Sequence, residues 1–339
     1  MLNYYIVEGK IRNNIGDILQ GMAAAEFLDE DAKAVDRESL ALMNESLPGL
    51  LLANGWFMHD FSLFPPPPNI NPIYLSVHIA NSAMLHDDKI RNHLKANSPI
   101  GCRDRKTLNL FLGWGIPAYY SGCLTITTKK RRPVRTDNKG DYLLVDNIDH
   151  PVPDAIVNKI EKLTQKKLIR ISHDPVSIEK SFDEYVRIGK EHMDALLNRY
   201  CDASLVITTK IHCALPCLGM GANVMLIHPN PNDPRLDTVK QFIDILSYEK
   251  ILKTDSIIKP SVNINVLNAQ KKYLTQIAIE SVKNKTNIIR NPKSFGHLFI
   301  KNKAVITAFF YRMAIVTLLK TPFATPSIKR VFCKKSDLV

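Results

Sequence analysis

The amino-acid sequence predicts an α/β protein whose parallel sheets are covered by helices and which is organised as two similar halves. Three observations carry this. Short continuous apolar runs alternate with stretches of helical spacing, the pattern of strands buried on both faces. The alternation stops at a polar, basic, proline-bearing stretch over residues 128–140 (TKKRRPVRTDNKG) and then starts again. A length of 339 residues suits two cores better than one, and 45% apolar with 23% charged residues is globular composition.

LNYYIVEG reads as a buried strand, followed by the glycine-containing turn NNIGD and a helix through QGMAAAEFLDED. GLLLANG and PIYLSVHIA are further strands. SPIGCRD ends a strand and leads into DRKTLNLFLGWG, where Leu108, Phe111 and Leu112 share a helical face, and IPAYYSGCLTIT reads as another strand. Beyond the linker, DYLLVDNI, KLIRISHD, ASLVITT and ANVMLIHP are strands; PDAIVNKIEKLTQ, SFDEYVRIGKEHMDALLNRY, IHCALPCLGMG and LDTVKQFIDIL are helices. The halves, residues 1–128 and 140–260, are therefore expected to be two Rossmann-like domains facing each other across a cleft, with ligands beyond the carboxyl ends of the strands. Neither half contains GxGxxG or a Walker A motif. GMGAN follows a helix instead of a strand, so its glycines are expected to end that helix. Nicotinamide and P-loop chemistry both lose support.

Residues 261–339 form a third segment: a helix-like NVLNAQKKYLTQIAIESVKNK, then a basic tail. The formal charge is +12, and from Lys283 onward nine Lys and three Arg face one acid, so the tail carries +11 and the first 282 residues about +1. Within the tail, AVITAFFYRMAIVTLL (304–319) is interrupted by Arg312 and, at 16 residues, falls short of the roughly 20 that a membrane span needs. Flanked by Lys301, Lys303 and Lys320, it suits the surface of an anionic bilayer; packing on the body is the competing reading. Regularly interleaved aromatics are missing, so nucleic acid is not expected as a partner. Six cysteines (102, 123, 201, 213, 217, 333) lie in apolar or small-residue surroundings without paired CxxC spacing or a secretory signal, which points to a reduced, cytoplasmic protein. Cys213 and Cys217 beside His212 lack a convincing fourth zinc ligand, so no metal is expected.

Chemistry is expected at the strand ends. In SLVITTKIHCALPC, Thr208, Thr209, Lys210 and His212 follow a strand, and a helix begins at about Ile211. Free backbone N–H groups, the positive end of the helix dipole and Lys210 together make an anion site. His212, whose ordinary pKa lies near neutrality, can donate a proton to a leaving oxygen or to carbon. Arg103, ending the SPIGC strand, is a second clamp for carboxylate or phosphate, and Asp104 can cap the next helix. In NNIGD, Gly16 permits close backbone approach, while Asn14 and Asp17 can bond backbone or sugar hydroxyls. LLANGWFMHD brings Asn54, Trp56 and His59 to another strand end, where an aromatic can serve as a sugar platform or as core. His78, His173, with Asp174-Pro175 after it, His228, Asp233 and Arg235 are weaker candidates for the cleft border.

The stretches NIGDILQGMAAAEFL, LLANGWFMH, SPIGCRDRKTLNLFLGWGIPAYYSGCLTIT and YCDASLVITTKIHCALPCLGMGANVMLI stand in one order and spacing. On them the chain resembles the polysaccharide pyruvyl transferase family along most of residues 3 to 250. The resemblance implies two Rossmann-type domains arranged as in GT-B glycosyltransferases. It implies transfer of a pyruvyl group from phosphoenolpyruvate to a saccharide as a ketal across two hydroxyls, during synthesis of a bacterial surface glycan. Where the family commonly reads Ser-Arg-Leu-His, this chain has Thr209-Lys210-Ile211-His212, so the charge is kept and the guanidinium fork is lost. SGCLT replaces an Asp-Pro pair, putting Ser121 and Gly122 in place of a carboxylate contact.

The expected sites are therefore His212 and Arg103 for catalysis; Arg103, Lys210, His212, Thr209, Ser121 and Gly122 for the donor; and Asn14, Gly16, Asp17, Asn54, Trp56 and His59 for the acceptor. No cofactor is implied, because protonation polarises the enol ether and fixed charges hold the anion. The acceptor is expected to be a saccharide, in one form lipid-linked, reached from the inner face of the plasma membrane. The competing functions are a sugar-nucleotide glycosyltransferase of the same architecture and a non-catalytic membrane-docked subunit.

Overall fold

The structure, a computed structural model, describes residues 1–9, 14–146, 149–173, 181–256 and 261–288. The chain first winds β1 (Leu2–Val7), α1 (Ile15–Ala25), β2 (Lys33–Asp36), β3 (Gly49–Phe57), β4 (Ile70–Ile79), α2 (Asp88–Ala96), β5 (Ile100–Cys102), α3 (Arg105–Gly113) and β6 (Ala118–Tyr120). These strands form one parallel sheet in the order β2-β1-β3-β4-β5-β6. Then follow β7 (Tyr142–Asp146), α4 (Asp154–Thr164), β8 (Leu168–Ser172), α5 (Phe182–Asp202), β9 (Leu205–Thr208), α6 (Ile211–Met220), β10 (Val224–His228), β11 (Ile245–Ser247), α7 (Tyr248–Lys253) and α8 (Ile264–Asn284). The second sheet is also parallel, in the order β11-β10-β9-β7-β8. Both sheets thus start one strand in from an edge, step out to that edge and then return past the first strand. The winding reverses between β1 and β3 and between β7 and β9, which opens a crevice at the carboxyl ends of those strands.

Burial explains the apolar runs. Every residue of β3 except Trp56 is buried, as is all of β9, and each Leu, Ile or Val so covered contributes about 1.5–3 kcal/mol. Two irregularities face each other where β3 meets β4: the register slips between Ala53 and Gly55, with φ +98° at Gly55 and +63° at Ser76. A Cβ on Gly55 would lie 2.6 Å from Oε1 of Gln20, so the glycine lets α1 approach the sheet and set that side chain. Gly221 ends α6 at φ +82°, as expected for a helix-terminating glycine.

Two expected elements differ. The strand expected over 116–127 stops at Tyr120, because Ser121 and Gly122 both donate their N–H to the Cys102 carbonyl and Gly122 turns to φ +77°; a 3-10 turn, Leu124–Thr127, follows. The helix expected from Leu236 is a short 3-10 turn, Pro234–Thr238, leading to the edge strand β11. Val239, Phe242, Ile243 and Leu246 are buried at helix-like spacing, yet sheet pairing with β10 prevails over local periodicity.

The basic linker lies against both halves. Arg131 pairs with Glu26, the C-cap of α1, at 3.0 Å and with Asp194 of α5 at 2.7 Å. Arg132 reaches Asp202 at 2.8 Å, and Arg135 donates to the Asp202 carbonyl. Beyond the second sheet, α8 packs back on the body: Gln270 bonds the Ser121 carbonyl, Lys271 that of Gly219. The segment 304–319 expected at a membrane surface lies outside the described residues. Among the described residues no helix is long and apolar enough to cross a membrane.

Candidate functional site

The residues at the end of β9 are held by a side-chain clip. The Thr208 hydroxyl donates to the Val145 carbonyl at 2.8 Å and accepts the N–H of Lys210 at 2.9 Å. Lys210 is the N-cap of α6, its own side chain does not cap the helix, and the first turn contains no acid. The helix therefore presents its first N–H groups and positive dipole end uncompensated by its own side chains. Thr209, Lys210 and His212 all retain partial exposure.

His212 meets the start of α1 from the other half. A Cβ added to Gly16 would lie 2.5 Å from His212 Nδ1 and 3.0 Å from its Cβ, so only glycine admits the imidazole at this distance. Although part of the residue is open to solvent, the protein around the ring is dense. That burial first, then the positive field of Arg103 and His173, pushes the imidazole down to about 3. His212 is therefore neutral at pH 7 in the free chain.

On the first sheet, α1 carries a polar relay. Gln20 donates to Asp17 Oδ1 at 2.6 Å and accepts from Arg103 Nη1 at 3.1 Å. Arg37 approaches Asp17 at 3.6 Å, donates to Glu38 at 2.9 Å, and lies 5.0 Å from the centre of the Trp56 ring. Burial raises the Asp17 carboxyl above its ordinary range, with Glu8 acting in the same direction and Arg37 and Arg103 opposing. Glu8, Asp17, Gln20, Arg37, Asn54 and Trp56 line a small recess at the β1/β3 reversal. Among the described residues, Arg37 Nη2 and Asn54 Oδ1 are buried there without a hydrogen-bond partner, a donor and an acceptor beneath the recess.

The structure brings together His212, Gly16, Arg103, Asp17, Asn54 and Trp56. Asn14 is exposed and spends its carboxamide oxygen on the N–H of Gly16 at 2.9 Å, and His59 lies against Trp56 with the ring centres 4.2 Å apart and the planes tilted by 50°. Trp56 is therefore engaged by Arg37 and His59 as well as lining the recess. Ser121 and Gly122 stand apart: Ser121 is fully buried, its hydroxyl donates to the Cys102 carbonyl at 3.0 Å, and Gln270 of α8 covers Gly122. His173 is buried after β8, while His228 turns onto the Asn230 carbonyl and Asp233 pairs with Arg235; Asp174 and Pro175 lie outside the described residues. Sequence reasoning missed Gln20 and Arg37. Gln20 looks like an ordinary helix residue, and the only sign of Arg37 was an acid-rich DRES after an unrecognised strand.

A model of the polysaccharide pyruvyl transferase family matches residues 14–230. No match was found among curated proteins. Among solved structures, a functionally uncharacterised protein of Klebsiella pneumoniae subsp. pneumoniae aligns with 70% of this chain and 87% of its own, at 11% identity and a TM-score of 0.40.

Proposed function

Because the chain belongs to the polysaccharide pyruvyl transferase family, we propose that it moves the pyruvyl group of phosphoenolpyruvate onto two hydroxyls of a saccharide, closing a ketal. The observation that carries this reading is the meeting of His212, the uncapped start of α6 and the Arg103 charge at Gly16. Phosphoenolpyruvate brings a phosphate and a carboxylate. The N–H groups of α6 with Lys210 and Thr209 take one anion, and Arg103, steadied by Gln20, takes the other. Lys210 binds as a point charge and gives no bidentate fork.

His212 is the acid. Neutral in the free chain, it gains a proton as the donor's negative charge offsets the field of Arg103 and His173. Its proton goes to the methylene carbon of phosphoenolpyruvate, an acceptor hydroxyl attacks the resulting cationic carbon, phosphate leaves, and a second hydroxyl closes the ketal. The chemistry asks for neither metal nor cofactor, since protonation and fixed charges supply the polarisation. The acceptor sugar lies toward the first sheet, with its hydroxyls at Asp17, Asn54 and Arg37 and its ring near Trp56, His59 and Asn14, in a GT-B-like cleft between the two sheets. The basic segment beyond residue 288 holds the enzyme near an anionic cytoplasmic leaflet and a lipid-linked acceptor of surface-glycan synthesis.

The test is phosphate release from phosphoenolpyruvate by the purified full chain, with and without lipid-linked or nitrophenyl sugars. Acceptor-dependent release is expected. Silence, with a thermal shift by sugar nucleotides and none by phosphoenolpyruvate, would replace this reading with a glycosyltransferase. Deleting residues 290–339 is expected to move the protein from membrane to soluble fractions, and an unchanged distribution would remove the membrane role.

A further inference from the structure

A second imidazole at the same sheet edge has the geometry of a base. His78 lies near the end of β4, in register with Trp56 of β3. Its Nδ1 sits 2.5 Å from Asp104 Oδ2, and Asp104 Oδ1 accepts the N–H of Thr107 at 2.8 Å to cap α3. Burial acts to raise the Asp104 carboxyl, but the His78 contact, the Thr107 N–H and Arg103 outweigh it and hold the group below its ordinary range. A charged carboxylate at Nδ1 fixes the proton there and leaves Nε2 as the accepting nitrogen. The His78 side chain is 21% exposed, and among the described residues no partner bonds Nε2. Among the described residues, the charged group against it is Asp104, with Arg103 of the same β5–α3 turn acting on that carboxylate; Trp56, its register partner on β3, carries Arg37 and His59 against its ring.

We propose that His78 is the base that takes the acceptor's hydroxyl protons, and that Asp104 is its positioning residue; the assignment rests on the phosphoenolpyruvate reading above. In each addition the acceptor O–H bond breaks, its proton passes to His78 Nε2, and the oxygen's electron pair forms the bond to the cationic carbon. The phosphate leaves with the electron pair of its C–O bond. Of the two hydroxyl protons, one replaces the proton His212 gave to carbon and the other leaves with phosphate, so both imidazoles return to their starting states. The two histidines differ in charge environment as well as place: in the free chain His212 stands among positive groups and His78 against a carboxylate, so it is the negative charge of the bound donor that must load His212 with its proton.

The alternative is that the pair only ties β4 to α3. The full chain is compared as wild type, His78→Gln and Asp104→Asn; asparagine also caps helices, so the second change removes the charge and keeps the cap. Phosphoenolpyruvate binding is read by thermal shift, and turnover by phosphate release across pH with nitrophenyl hexosides and with water alone as acceptor. His78→Gln is expected to keep the shift and lose about 100-fold or more in turnover. Asp104→Asn is expected to lose at least about tenfold at an unchanged KM for phosphoenolpyruvate, and His78→Gln to lose the fall in rate at low pH. Turnover of His78→Gln within about threefold of wild type, or a surviving low-pH limb, overturns the base role alone. A wild type that neither binds nor cleaves phosphoenolpyruvate overturns the parent reading and this assignment with it.

Discussion

α1 and α6 both begin at a strand's carboxyl end beside a reversal of winding, yet one helix start is closed and the other open. At α1, Asn14 accepts the N–H of Gly16, and Asp17 adds an acid to the first turn. At α6, the cap position holds Lys210, with no side-chain cap and no acid. A cap contributes about 1 kcal/mol, and α6 forgoes it. The comparison teaches that the two starts divide the work: α1 satisfies its own first turn, while α6 keeps its first N–H groups for the anion that the proposed donor would bring.

The sharpest break of this comparison is His212→Ala, which removes the group shared by both helix starts. Phosphate release is expected to fall about 10²–10⁴-fold with the far-UV dichroism unchanged; undiminished turnover would take His212 out of the acid role. Next is Gly16→Ala, whose methyl would lie 2.5 Å from His212 Nδ1 and push the ring aside. Because misplacement of about 1 Å can cost about 10²-fold, turnover should fall by more than the loss in melting temperature explains. Equal kinetics would show that the contact with α1 does not set the ring.

Closing α6 makes the two helices alike. Lys210→Asp supplies a cap and an acid at once, so stability should rise by about 0.5–1 kcal/mol in urea unfolding, while the phosphoenolpyruvate thermal shift shrinks or vanishes. The counterpart, Asn14→Ala, should lower stability by about 1 kcal/mol, and no change there would mean that α1 is not held by its cap.

The smallest effect is on pH dependence. His212 falls from 6.5 to about 3 on folding, and His93, buried between Phe64 and Tyr74, to about 4. A depressed pKa means that the unfolded chain binds more protons in the window between the two values. Stability is therefore fully present above about 6.5 and declines as the pH falls toward 3. His212→Gln should flatten part of that decline in melting temperature, leaving the share of His93.

Much of this was legible in the sequence because continuous apolar runs such as GLLLANG and SLVIT have few homes other than a buried parallel strand. The start of α6 at Ile211 and the strand end at Thr208 were also readable, and with them the place of Lys210 and His212. Strand order was not, since nothing local says that β1 lies between β2 and β3. β2 itself was invisible: KAVD is four residues long, and none of them is fully buried. The bond between His78 and Asp104 spans 26 positions, and the tie from Gln20 to Arg103 spans 83. Such pairs become neighbours only through the sheet. His78 looked as much like core as like cleft until the carboxylate at its Nδ1 was in view.

Arg131 has a mechanical meaning. One guanidinium holds a carboxylate at the C-cap of α1 and another on α5, so it works as a pin through a joint. Relative rotation of the two sheets must stretch one of its ion pairs before the other. Partly exposed pairs weaken as the Debye length shrinks, from about 10 Å at 0.1 M salt to about 3 Å at 1 M. The strength of that pin is thereby tied to the ionic strength of its surroundings.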